Sequence, residues 1–160
     1  MKVFTLNQFL TMVTATLLTT SGYAQNESKF ELTPAADLVS SYVWRGVYQT
    51  SASVQPSLKA SYAGLSLTAW GSTDFNTTAK EFDLTLGYTT GGLTLAATDY
   101  WWAGEGNRYG NYSAYHFFEG TIGYNFGESL PLYINWNTIF GMDGDKNADG
   151  NQQYSTFVEA

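Results

Sequence analysis

From residue 31 onward, apolar and polar side chains alternate with a period of two, and no helical period competes with it. The stretch GLSLTAWGSTDF at 64–75 sets Leu65, Leu67 and Ala69 against Ser66 and Thr68, and nearly the same pattern returns in KEFDLTLGYTTGG and GLTLAATDYWW. Strands are expected at 35–45, 53–62, 65–73, 81–89, 93–102, 114–126, 131–141 and from 153 to the end. Several have the length of about 9–11 residues that a tilted strand needs to cross a bilayer.

The links between them alternate in length. Ala63-Gly64, the turn at Thr90, Gly91 and Gly92, and GESL at 127–130 are short, and glycine supplies the positive φ that tight hairpins need. The links at 46–52, 74–80, 103–113 and 142–152 are long. This strict alternation predicts an all-β, antiparallel, up-and-down transmembrane β-barrel, with short turns at the periplasmic end and long loops outside.

Each strand also has two faces. Phe82, Leu84, Leu86 and Tyr88 oppose Glu81, Asp83, Thr85 and Gly87; Phe118, Ile122, Tyr124 and Phe126 oppose Glu119, Thr121 and Asn125; Leu132, Ile134 and Trp136 oppose Tyr133, Asn135 and Asn137. In a membrane barrel the apolar set meets lipid and the polar set faces the lumen. By this parity Arg45, Lys59, Glu81, Asp83, Glu119 and Glu159 face the lumen. Charges there line a water path or plug it, since an interior of about eight strands is just filled by side chains. Tyr62, Tyr88, Tyr124 and Phe126 fall at the short-turn ends, and Tyr42, Trp44, Trp101 and Phe140 near the long-loop ends. Two such bands are expected to form interfacial aromatic girdles. Two residues fit badly. Strict alternation sends Asp99 to the lipid side, which calls for a bulge near Thr98 or an end to the strand there. Pro56 removes a ladder donor and marks a local bulge.

Composition narrows the class. Charged residues make up 13% and aromatics 17% of the 160 residues, with 16 Gly and no Cys. The charged share is well below the roughly 25% of ordinary soluble domains. The absence of Cys excludes a disulfide scaffold and a thiol enzyme. A net charge of -7 argues against a nucleic-acid partner, which needs a basic stripe. Lys2, the apolar run FLTMVTATLL and the small residues Gly22 and Ala24 form an export signal at 1–24, so the mature chain is expected to begin at Gln25. Residues 25–34 are expected to be a periplasmic segment and 35–160 the N-terminal part of one barrel, because QQYSTFVEA opens a strand that halts at Ala160.

ADLVSSYVWRGVYQT at 36–50 resembles the opening strand of the TorF-like porin family of bacterial outer-membrane β-barrels. QPSLKASYAGLSLTAWGSTDF and KEFDLTLGY resemble the second to fourth strands of its Bacteroidota members, and TDYWW and PLYINWNTIF fit the same picture. The resemblance spans most of 36–160, through short motifs of common strand residues. It implies a barrel, a pore and a longer chain, and carries no catalytic set.

Three stretches hold candidate chemistry. His116, the only histidine, lies near Ser113 and Glu119, but both differ from it in strand parity, which speaks against a hydrolase triad. DGDKNADGN spaces Asp143, Asp145, Asn147 and Asp149 two apart, a weak candidate for a loop cation; Ala148 and Tyr154 stand where an EF-hand loop has Gly and Glu. Trp101, Trp102, Tyr109 and Tyr112 offer flat rings that could stack on a sugar, although ordinary loop aromatics account for them as well. No cofactor is implied, as no glycine loop joins a strand to a helix. The leading expectation is a non-enzymatic outer-membrane porin or passive channel for small solutes, with membrane lipid as its surroundings. The alternative is a structural or adhesive barrel whose loops bind partners or glycans.

Overall fold

A computed structural model of the protein describes residues 29–104, 106–112, 115–141 and 145–160. The export signal expected at 1–24, Ser113 and Asp143 lie outside the described residues. The strands among the described residues are β1 (Glu31–Val39), β2 (Tyr42–Trp44), β3 (Val47–Thr50), β4 (Ser53–Tyr62), β5 (Leu65–Asp74), β6 (Lys80–Thr90), β7 (Leu93–Ala103), β8 (His116–Asn125), β9 (Tyr133–Ile139) and β10 (Thr156–Glu159). Eight of them form one antiparallel sheet in the order β1-β4-β5-β6-β7-β8-β9-β10, and β2 and β3 form a separate hairpin. The sheet is open, with β1 and β10 at its edges, so the closure expected of a barrel is not formed among the described residues.

The tight turns share one design. Arg45-Gly46, Ala63-Gly64 and Gly91-Gly92 each have positive φ at both positions, between 50° and 86°. That is the signature of the type I′ hairpin turn, whose twist matches that of the flanking strands. At two of these turns the glycine also lies against the next strand but one. The carbonyls of Gly64 and Gly92 accept hydrogen bonds from the amides of Thr89 and Asn125, both at 2.9 Å. The rings of Tyr88 and Tyr124 lie beside those same glycines.

The two faces of the sheet are buried in the reverse of the usual sense. Among the described residues no hydrophobic side chain is buried, whereas Ser53, Gln55, Ser72, Glu81, Asp83, Thr98, Glu119 and Asn137 are. By strand register these eight share one face. The opposite face presents Leu67, Leu86, Leu95, Ile122, Trp136 and Val158, all exposed.

Several local expectations are corrected. The first strand does not run 35–45. β1 starts at Glu31, inside the stretch expected to precede the sheet, and ends before Ser40-Ser41. The chain then turns back as the β2–β3 hairpin instead of forming a plain external loop at 46–52. Pro56 marks no bulge: pairing with β5 lapses at Gln55 and Pro56 and resumes in unchanged register. Asp99 needs no bulge at Thr98 either, because β6 and β7 pair without a break from Lys80↔Ala103 to Thr90↔Leu93. The strand carries straight through Asp99 because that side chain finds a partner on its own face.

Candidate functional site

The covered polar face is built from alternate residues of β4 to β10, with the β2–β3 hairpin laid across it. Arg45 sits in the hairpin turn, not in a strand, and its guanidinium forks onto Glu119 of β8 at 2.6 and 2.9 Å. Tyr100 of β7 donates a third hydrogen bond to the same carboxylate at 2.9 Å. The guanidinium also lies 4.4 Å from the ring centre of Trp44 and 4.7 Å from that of Phe157 in β10. Planar, delocalised and weakly hydrated, arginine suits such a fork between carboxylate and ring faces.

Tyr42 stacks on Trp102 of β7 (6.3 Å, 9°) and tilts against Trp70 of β5 (5.6 Å). Trp44 tilts against Tyr100 at 5.6 Å. The hairpin therefore touches β5, β7, β8 and β10 and lies across the polar face. Beneath it is a cavity of about 210 Å³ lined by Trp44, Glu81, Tyr100, Trp102 and Phe117.

This geometry revises the girdle. Tyr42 and Trp44, expected at the lipid interface, lie over the polar face, because the break at Ser40-Ser41 turns the hairpin inward. Tyr62, Tyr88, Tyr124 and Phe126 are exposed at the short-turn ends, and Tyr124 meets Phe126 edge-on at 5.0 Å. Trp101 and Phe140 lie toward the other end, where Phe140 packs near Phe118 at 6.3 Å and Trp101 meets Tyr109 at 5.6 Å. Lys59, Glu81, Asp83, Glu119 and Glu159 share the polar face by register. Of these only Glu119 meets Arg45; Glu159 is exposed and accepts a hydrogen bond from Asn135 at 3.0 Å.

A second polar cluster stands on the predominantly apolar face. His116 is fully buried, its Nδ1 2.6 Å from Asp99 and its Nε2 2.7 Å from the backbone carbonyl of Tyr109. A carbonyl only accepts, so Nε2 carries a hydrogen and offers no lone pair to a nucleophile. Tyr112 stacks on the imidazole at 4.2 Å and Tyr109 meets it edge-on at 5.3 Å. His116 and Asp99 are diagonal neighbours across β7 and β8, within side-chain reach. Glu119, the acid weighed for a triad, is on the opposite face with Arg45. The four rings considered for sugar stacking are split as well: Trp101, Tyr109 and Tyr112 gather around His116, while Trp102 stacks on Tyr42 across the sheet.

In the 145–155 loop two of the four candidate cation ligands, Asp145 and Asn147, already accept protein hydrogen bonds. Asp145 takes them from Gln152 Nε2, Ser155 N and Ser155 Oγ, and Asn147 Oδ1 takes them from the amides of Asp149 and Asn151. Burial pushes the Asp145 carboxyl up, but the bonds from Ser155 and Gln152 outweigh it and hold the group below its ordinary range. Among the described residues no group of three or more His, Cys, Asp or Glu is placed to hold a metal ion.

The inward hairpin and the Asp99–His116 pair are the features that strand parity did not yield. Their signals were local: a polar Ser40-Ser41 doublet before Arg45-Gly46, and two complementary polar residues on apolar-face positions of adjoining strands. Comparison with protein-family models, with curated proteins and with solved structures found no match.

Proposed function

We propose that this chain is part of a bacterial outer-membrane β-barrel that works as a porin-like passive channel for small solutes, with the β2–β3 hairpin as a constriction inside it. The observation that carries this reading is the inversion of the two faces. Fully burying one large apolar side chain stabilises a fold by about 1.5–3 kcal/mol. A soluble sheet that left Leu67, Leu86, Leu95, Ile122, Trp136 and Val158 in water would forgo stabilisation comparable to the roughly 5–15 kcal/mol that holds a domain together. Lipid removes that problem, because an apolar face is then at home outside and polar groups collect inside. The two-residue turns at 63–64 and 91–92 and the export-signal pattern of residues 1–24 support the same reading, as does the resemblance of residues 36–50 to the opening strand of TorF-like porins.

The channel is tested by fractionating the native host and by recording the full-length protein in planar bilayers. The expected result is recovery in the outer membrane with ohmic conductance, and a larger conductance when residues 42–50 are replaced by a short glycine turn. Recovery wholly in the soluble periplasm contradicts the membrane reading. Outer-membrane recovery with no conductance, before or after hairpin removal, favours a structural or adhesive barrel.

A further inference from the structure

We propose that the cavity beneath the β2–β3 hairpin binds a small organic cation bearing N–H donors, a primary ammonium or a guanidinium. This deepens the channel reading by naming what the polar face selects, and it rests on that reading only for how the solute arrives.

The argument begins with unmet hydrogen bonds. Glu81 is 6% exposed and lines the cavity, yet its Oε2 has no hydrogen-bond partner. Asp83, two residues along the same strand face and 8% exposed, has an equally unpartnered Oδ1. A buried carboxylate oxygen without a donor is costly. Arg45 is already committed, with both guanidinium nitrogens on Glu119. Among the described residues no basic side chain meets either oxygen, and Glu81, the one of the two that lines the cavity, is open there to a positive donor.

The walls define its chemistry. Trp44, Tyr100, Trp102 and Phe117 line the cavity with Glu81, Gln49 and Ile139, and ring faces attract cations most strongly where water is excluded. The site has an internal precedent, since the Arg45 guanidinium sits over the rings of Trp44 and Phe157. A hard metal ion would need about six or more oxygen ligands, which these aromatic walls do not offer. The unmet oxygens favour N–H donors over a fully alkylated nitrogen, because a primary ammonium brings three donors and a quaternary one brings none. A cavity of about 210 Å³ suits a short alkylamine rather than a peptide.

The test uses the full chain folded in detergent micelles, with n-butylammonium chloride as probe and n-butanol and tetramethylammonium chloride as comparators. Binding is read by calorimetry and by tryptophan fluorescence, which Trp44 and Trp102 should report. Butylammonium is expected to bind saturably, tetramethylammonium at least about tenfold more weakly and butanol not at all; tenfold corresponds to the worth of one charge-assisted hydrogen bond. Glu81→Gln should lower butylammonium affinity by at least about tenfold, with the strand circular-dichroism spectrum unchanged, and Glu81→Asp should retain part of it. The proposal is overturned if butylammonium shows no saturable binding, if butanol binds equally well, or if folded Glu81→Gln binds like the parent. The comparison of probes on the parent protein stands even if a variant fails to fold. Conductance is measured separately: binding without conductance keeps the site and removes the channel, and conductance without binding does the reverse.

Discussion

Gly92 is under two constraints at once. Its φ is +86°, and a Cβ built there would lie 2.5 Å from the carbonyl oxygen of Asn125. Its neighbour Gly91 has φ +53° but open space around it. The equivalent first turn position in the β4–β5 hairpin is already a non-glycine, Ala63, at φ 50°. Gly91→Ala should therefore cost only the left-handed penalty of about 1–2 kcal/mol, and Gly92→Ala clearly more, because backbone must also move. Urea unfolding of the two variants in lipid vesicles checks the order; equal losses would mean that the close approach to Asn125 has no energetic weight. Asp99 and His116 make a similar case on the apolar face. Removing one partner of a buried pair costs about 3–5 kcal/mol, because the other is left uncompensated. His116→Leu alone should approach that loss, whereas His116→Leu with Asp99→Leu should recover most of it; a double variant no better than the single would mean that the pair is not what holds Asp99 there. The oddity of Asp99 was legible in the sequence as a break in alternation. Its remedy was not, because a partner on the next strand depends on register, and register is fixed only when the strands pair.

Among the elements, the faces of β4 to β9 and, to within a residue, the ends of β4 to β7 were legible, since period two and the turn glycines fix strands such as Lys80–Thr90 and Leu93–Ala103; β9, at Tyr133–Ile139, is shorter than the 131–141 expected, though its faces were legible. The first strand was not. Residues 35–45 also alternate, so the break after Val39 and the inward hairpin could not be read from period alone. What directs the hairpin inward is a set of contacts distant in sequence: Arg45 to Glu119, and Tyr42 to Trp70 and Trp102. The 145–155 loop gave a different ambiguity. Spaced Asp and Asn oxygens serve a cation or a turn equally well, and here Asp145 and Asn147 accept from the loop's own donors. The Asp145 carboxyl is held below its ordinary range. A lowered folded-state value means stabilisation that is complete above the unfolded value, about 3.9 for Asp, and is lost as pH falls through the folded value. The Ser155 amide, which donates to Asp145, should lose exchange protection as pH drops below the ordinary Asp range, after correction for intrinsic exchange. Asp145→Asn should flatten that dependence. A protection factor equally steep in the variant would assign the effect to another group.

At the scale of the whole molecule, one asymmetry organises everything else. The face that carries Glu81, Asp83, Glu119 and Asn137 is covered, and the face that carries Leu86, Leu95, Ile122 and Trp136 is not. The hairpin, the acidic cavity and the Arg45 fork all belong to the covered side. The tyrosines at the short turns and the aromatic cluster around His116 belong to the open side. The membrane account accordingly stands on what the open face meets. Leu84, Thr85 and Leu86 form the sharpest local probe of it. Leu84 and Leu86 lie on the apolar face, and Thr85 between them points the other way, 3.0 Å from the hydroxyl of Thr98. The most direct measurement places a nitroxide at each of these three positions in turn, through Leu84→Cys, Thr85→Cys and Leu86→Cys, in the full-length protein reconstituted in lipid vesicles. Collisions with oxygen, which concentrates in lipid, are then compared with collisions with a polar relaxing agent. The account predicts high oxygen access and low polar access at 84 and 86, with the reverse at 85. Protection of all three from oxygen, or polar access at 84 and 86, would contradict it.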